Sequence, residues 1–485
     1  MTRRRLLAKA QQGAELREGF ARIRDEQGIP REFPPDVLDE ANRIASAPQP
    51  PPTRSGVERR DLRDLPFVTV DPAESMDLDQ AVFIRREGKG YRVFYAIADV
   101  ASFVEPGSAL DVETHRRGVT MYSPDLRTPL HPPVLSEGVA SLFADLDRPA
   151  VVWQIDLNSA GQQVEVDVYR AMVRSVAKLS YEQVQKALDD GSADESLICL
   201  REVGERRQQL EVERGGIDVL VPDQEIEGDG PGYRLAMRTP LPVEGWNAQI
   251  SLLTGICAAR LMLDAGVGIL RTMKAPSKED YEKVRLTGKS LDIDWPMDQT
   301  YAEFVRGLDP RTASHAAFLN LVTVLLRSAE YTVLDHAVGN DEPASLRHAA
   351  VASSYAHVTA PLRRLVDRYG TECCLAIAAG EPVPDWVIAA LPSLPDEMKS
   401  ADSRARALER AQVDLVEAVL LAGHVGEHYS AIVVEQKKDY VNVQLHWPAV
   451  RARVADPSLP LGKRVDLELT SADPILGTVT FQAVG

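Results

Sequence analysis

Residues 67–84 read FVTVDPAESMDLDQAVFI: two short apolar runs rich in β-formers enclose a loop with Asp71, Glu74, Asp77 and Asp79 and no lysine or arginine. The runs predict strands, so folding gathers the loop's acids at the strand ends. Carboxylates a few ångströms apart either raise one another's pKa or recruit a cation. Asp77 and Asp79 lie at i and i+2, which on an extended chain turns both side chains to one face and Leu78 to the other. Asp71 then closes the nest from the end of the preceding strand. An oxygen-only D-x5-D-x-D set suits Mg²⁺ or Mn²⁺ better than zinc, which prefers His and Cys. An EF-hand calcium loop is not formed, because counting from Asp77 puts Val82 where its glycine belongs. The competing reading is a solvated acidic turn, and the apolar flanks argue against it.

The rest of the chain reads as a multidomain α+β protein. Leu16, Phe20 and Ile23 recur at helical spacing and stop at Gly28 and Pro30; Pro34 and Pro35 open a second helical stretch with Val37, Leu38, Ala41 and Ile44. Residues 1–55 are thus expected to form a small helical region, helix-turn-helix-like or a simple arm, with a semi-rigid proline linker at 48–52. Residues 56–425 form the mixed part: strands near 67–84, 91–98 and 150–157, then helices near 247–264, 316–334 and 402–422. From 426 to 485 five short alternating segments, SAIVVEQ, YVNVQLHW, RARVAD, RVDLELTSAD and GTVTFQAV, predict a β-barrel of OB type.

Composition bounds the partners. With 44% hydrophobic and 26% charged residues the chain is ordinary for a globular protein. Its apolar stretches fall short of the ~20 residues that cross a bilayer, and no leader pattern opens it. Cys199, Cys257, Cys373 and Cys374 form no CxxC, so a reduced, cytoplasmic setting is expected, without membrane association. A net charge of −17 looks wrong for a nucleic-acid binder. What decides is whether positive groups gather in one channel, and arginines cluster at 3–5, 59–63, 363–368 and 404–410. No G-x-S-x-G, P-loop or G-x-G-x-x-G fingerprint appears, which disfavours acyl transfer, P-loop hydrolysis and dinucleotide chemistry.

The acid loop has company. It is preceded by RRDLRDLPFVTVD and followed by YAIADVASFVEPGSALDVETHRRGVTMYSPDLRTPLHPPVLSEGVASL and, far downstream, by SYAHVTAPLRRLVDRYG. Together these segments resemble the RNase II/RNase R (RNB) family of exoribonucleases over roughly residues 55–425. The resemblance implies an RNB catalytic domain, a C-terminal S1-type OB fold, and Mg²⁺-dependent, processive 3′–5′ hydrolysis of single-stranded RNA to nucleoside 5′-monophosphates. A monomer is expected.

Residue by residue, the resemblance assigns metal binding to Asp71, Asp77, Asp79 and Gln80. Gln80 replaces the family's fourth aspartate, and its amide offers only a carbonyl oxygen. Catalysis falls to Asp79, to Arg363 in Ala360-Pro361-Leu362-Arg363, and to Glu409, which would orient a ligand water. RNA contact falls to Tyr122, matching a tyrosine that stacks on the 3′-terminal bases, and to Arg363, Arg364 and Gln249; the family often has a glutamate in place of Gln249. Pro361 is expected in a helix's first turn, with free N–H groups and Arg363 facing a phosphate while Arg364 and Arg368 extend the positive surface. The plainer alternative is a surface helix on which Arg363 pairs with Asp367. His115, His131 and His357 lack metal-ligand spacing and are read as structural or surface residues. Gln80 and Gln249 motivate a second functional reading, a catalytically weak or inactive RNA-binding protein on the same scaffold. A small-molecule phosphohydrolase is a third, disfavoured by the terminal barrel.

Overall fold

The computed structural model describes residues 10–47, 51, 53, 58–217, 223–229, 232–238, 240–308, 314–315, 318–319, 329–338, 343–445 and 450–484. Its centre is a six-stranded sheet. The strands β1 (Arg60–Asp61), β2 (Phe67–Asp71), β3 (Gln80–Glu87) and β4 (Gly90–Ala98) are followed by a small hairpin, β5 (Met121–Tyr122) and β6 (Arg127–Thr128), and then by β7 (Asp147–Leu157) and β8 (Gln163–Ser180). The sheet order is β1-β8-β2-β3-β4-β7. The 18-residue β8 runs antiparallel to β7 along its first part and parallel to β2 from Ser175 onward, which closes the sheet on itself.

Both faces of this sheet are covered, which explains the nearly unbroken apolar strands. Val68, Val70, Val82, Ile84, Val93, Tyr95 and Ile97 face one core, which they share with the helices Pro242–Ala265, Leu365–Ala379 and Leu394–Leu421. The alternate residues Phe67, Ala81, Phe94, Ala96 and Ala98 face a second core with Leu110, Leu135 and Leu362. The helix Pro242–Ala265 is long and apolar enough to cross a bilayer, longer than the sequence reading allowed, yet Trp246, Ile250, Leu253 and Cys257 are buried in the first core.

The barrel is as read. After β9 (Asp223–Asp229), β10 (Gly232–Arg238), β11 (Gly268–Thr272) and β12 (Glu330–Leu334), the strands β13 (His428–Gln436), β14 (Val441–Leu445), β15 (Arg451–Val454), β16 (Arg464–Asp473) and β17 (Thr478–Ala483) close in the order β13-β14-β15-β17-β16.

One expectation fails, and one of two alternatives is set aside. The helix expected over 316–334 ends in a strand instead: Tyr331 and Val333 belong to β12, which pairs antiparallel with β11; residues 316–317 and 320–328 lie outside the described set. The N-terminal helices Ala10–Glu26 and Pro35–Ser46 do not make a helix-turn-helix-like unit of their own. Leu16, Phe20 and Ile23 enter the first core, whereas Val37 and Ala41 enter the second. The expected proline linker falls largely on residues outside the described set.

Candidate active site

Asp71 is the last residue of β2 and Gln80 the first of β3, so the acid loop spans the gap between two core strands. Leu78 pins it from within. Its side chain is fully buried, its N–H donates to Ser141 Oγ at 3.0 Å, and the Ser141 hydroxyl donates to the Met76 carbonyl at 2.8 Å. With Leu78 facing the core, Asp77 and Asp79 turn the other way, as their i, i+2 spacing requires.

The cations these acids recruit are guanidinium groups. Asp79, 2% exposed, accepts from the Leu362 N–H at 2.7 Å and from Arg363 Nε at 2.6 Å, one bond to each oxygen. Arg127 bridges Asp77 and Glu137 from β6. Among the described residues Asp71 has no such partner, and its Oδ2 is buried without a hydrogen bond. Burial raises the Asp71 carboxyl to about 6; the Arg363 guanidinium opposes the shift and the Asp77 charge adds to it. Burial likewise raises Asp79 to about 7 against the pull of Arg363. Around them opens a cleft of about 940 Å³, lined by Asp71, Asp77, Gln80, Arg127 and Arg363 together with Tyr122, Tyr181, Glu182 and Glu244. Tyr122 is 53% exposed at its place in the β5–β6 hairpin.

This arrangement is not the closed aspartate nest expected from the sequence. Among the described residues no group of three or more His, Cys, Asp or Glu side chains converges to hold a metal ion. Asp79 accepts one hydrogen bond on each oxygen, from the Leu362 N–H and from Arg363, and so anchors the 362–363 turn. The fit that remains rests on Asp71, whose orphaned oxygen lacks a partner, and on Asp77 in the same cleft; an oxygen donor set of this kind suits a hard dication.

Several other assignments also move. Gln80 lines the cleft, but its amide is committed: Nε2 donates to the Thr359 carbonyl at 2.7 Å, and Oε1 accepts from the Tyr95 hydroxyl. It offers no idle oxygen to a metal. Gln249 is absent from the cleft lining; it is buried in the helix Pro242–Ala265 and donates to Glu211 at 2.6 Å. Glu409 is exposed on the helix Leu394–Leu421 and does not line the cleft.

The 360–363 segment is a turn rather than a helix start, because the helix begins at Leu365. The Leu362 N–H expected to face a phosphate is given to Asp79. Arg363 pairs with Asp79 and not with Asp367, which is instead gripped by Arg364 through two bonds of 2.9 Å. Arg364 is therefore an internal strut. Arg368, 2% exposed, is spent on Asp111 and the Tyr369 hydroxyl. Arg59, Arg60 and Arg63 pair with Asp99, Asp167 and Asp61, and Arg404 donates to backbone carbonyls at 116 and 117. Arg59, Arg60, Arg63, Arg364, Arg368 and Arg404 thus have partners within the protein, and residues 3–5 lie outside the described set. His115, His131 and His357 contact Glu397, the Pro361 carbonyl and Tyr331, internal roles consistent with the reading of them as structural. Arg127 was missed, since nothing local to it signals a partner 50 residues earlier.

An acid-lined cleft in a mixed α+β domain, joined to a closed five-stranded barrel, defines the class. The chain belongs to the RNB family: residues 59–371 match the RNB domain, and residues 427–484 match the RNase II-type exonuclease C-terminal S1 domain. Ribonuclease R of Escherichia coli (strain K12) is 29% identical over 348 residues, covering 67% of this chain and 41% of that protein. This chain thus aligns with about two fifths of that relative's length. The structure of Mycoplasma genitalium RNase R in complex with ribose methylated single-stranded RNA shares the fold, with a TM-score of 0.85, 20% identity, and coverage of 97% of this chain and 78% of that one. Yeast Ssd1, a pseudonuclease, shares it with a TM-score of 0.68 at 17% identity, over 90% of this chain and 57% of that one.

Proposed function

We propose that this protein is a divalent-metal-dependent exoribonuclease that hydrolyses single-stranded RNA from its 3′ end, processively, to nucleoside 5′-monophosphates. The observation that carries the reading is the pairing, in one cleft of an RNB domain, of a carboxylate with an unsatisfied buried oxygen and an anchored guanidinium. Asp71 and Asp77 are the residues that would hold Mg²⁺ or Mn²⁺, which when bound supplies Lewis acidity for a water nucleophile and the leaving oxygen. Arg363 gives its Nε to Asp79, and its side chain is 40% exposed, which leaves the guanidinium able to meet the phosphate whose charge grows during attack. Asp79 is then a positioning group. Tyr122 offers a face on which a terminal base stacks. The barrel gives RNA a second hold upstream, and a single strand threading both sites accounts for processive action. Four buried, unpaired cysteines accord with a reducing cytoplasmic setting.

The test is incubation of 5′-labelled single-stranded RNA with Mg²⁺ or with EDTA. Stepwise shortening under Mg²⁺ alone supports the reading. The second reading, an RNA-binding protein without turnover, draws on the guanidinium partners of Asp77 and Asp79 and on the amide at Gln80. It wins if RNA is retarded on a gel and never shortened.

A further inference from the structure

The family resemblance implies an acid at position 80; the structure gives Gln80 hydrogen bonds that an ionised acid cannot make. The Thr359 carbonyl has no hydrogen to give, so the group 2.7 Å from it must be the amide Nε2–H, which leaves Oε1 for the Tyr95 hydroxyl. Tyr95 is 1% exposed and burial holds its phenol protonated, so it donates. Ser251 Oγ completes the cluster, 2.6 Å from the Tyr95 hydroxyl and 3.4 Å from Gln80 Oε1. The amide's orientation is therefore dictated from both ends.

The segment it holds is the one that carries Arg363. Asp79 takes the Leu362 N–H and Arg363 Nε, Gln80 takes the Thr359 carbonyl, and Asp367 takes the Ala360 N–H at 2.7 Å. Two consecutive residues of the acid loop thus grip the turn with opposite polarity, one accepting and one donating. A glutamate at this place would set an anionic oxygen against a carbonyl oxygen. An aspartate would do the same with a shorter reach, and either would add negative charge beside Asp79 and Asp71.

We propose that Gln80 is a positioning residue: its amide ties the 359–363 turn to the acid loop and thereby sets where the Arg363 guanidinium stands. This rests on the exoribonuclease reading of the same cleft. Steady-state cleavage of single-stranded RNA by Gln80→Met, Arg363→Ala and the double variant tests it. Gln80→Met keeps the side chain's length without its hydrogen bonds. Its kcat is expected to fall about tenfold or more with KM within about twofold, and the loss is expected to vanish in the Arg363→Ala background. A full loss persisting without Arg363 overturns the proposal, as does a Gln80→Asp variant as fast as the parent, which would make the amide's bonds dispensable. If Gln80→Met does not fold, Gln80→Glu takes its place in the same cycle. If the parent protein shortens no RNA, the functional reading fails by itself. Hydrogen exchange across residues 357–364 then reads the tie separately: faster exchange in Gln80→Met supports it, and unchanged protection refutes it.

Discussion

Replacing Asp79 by asparagine keeps the side chain's size but removes the charge on which Arg363 leans. The remaining carbonyl oxygen can still accept from the Leu362 N–H, which leaves the new NH₂ group facing Arg363 Nε–H, donor against donor. A hydrogen bond to a charged partner is worth about 1.5–3 kcal/mol. At about 1.4 kcal/mol per factor of ten, losing it in the transition state lowers kcat by roughly 10- to 150-fold. RNA affinity should change little, because the guanidinium is partly exposed and remains in the cleft. Stability should not suffer in proportion. Burial lifts the Asp79 carboxyl from 3.8 to about 7, so at pH 8 its ionised form is a burden on the fold that asparagine removes. The assay is kcat and KM on labelled single-stranded RNA beside fluorescence anisotropy and a thermal melt. A variant with the parent's kcat would refute the argument that Asp79 acts by holding Arg363.

The raised carboxyls give a pH signature in the metal-free protein. Asp71 and Asp79 bind protons in the folded state up to about pH 6 and 7 but in the unfolded state only to about 3.8, so stability should fall as pH rises from about 4 to 7; melts in EDTA across that range check it, and Asp71→Asn should flatten the slope. Arg364→Ala should lower the melting temperature sharply, since it strands the fully buried Asp367 at a cost of about 3–5 kcal/mol. Loss of RNA affinity without loss of stability in that variant would return Arg364 to the RNA path. Tyr122→Ala should weaken binding of a single strand by about 1–3 kcal/mol per stacked base, and Tyr122→Phe should not, as filter binding would show.

What could be read from the sequence was local. The five barrel strands and the core strands announce themselves by alternation, and the acid loop stands out because no lysine or arginine interrupts it. What could not be read was which charge folding sets beside which. Arg363 reaches Asp79 across 284 positions, while its neighbour Arg364 takes Asp367 only three residues on. From the sequence both arginines are expected to meet RNA; in the structure one lines the cleft and the other braces the fold. The strand Glu330–Leu334 was mistaken for helix because its partner, Gly268–Thr272, lies some sixty residues away and the alternation of Tyr331 and Val333 is too short to stand alone. The sequence points to Gln80 as a metal ligand through its carbonyl oxygen, because the Thr359 carbonyl that gives its amide a purpose is likewise distant in the chain.

The most direct measurement uses single-stranded RNA labelled at its 3′-terminal nucleotide. With Mg²⁺ present, the parent protein should release labelled nucleoside 5′-monophosphate as the first product, and Asp71→Asn should release none while still binding the strand. Release of label by Asp71→Asn at the parent's rate, or labelled RNA that stays intact with the parent protein, would contradict the account.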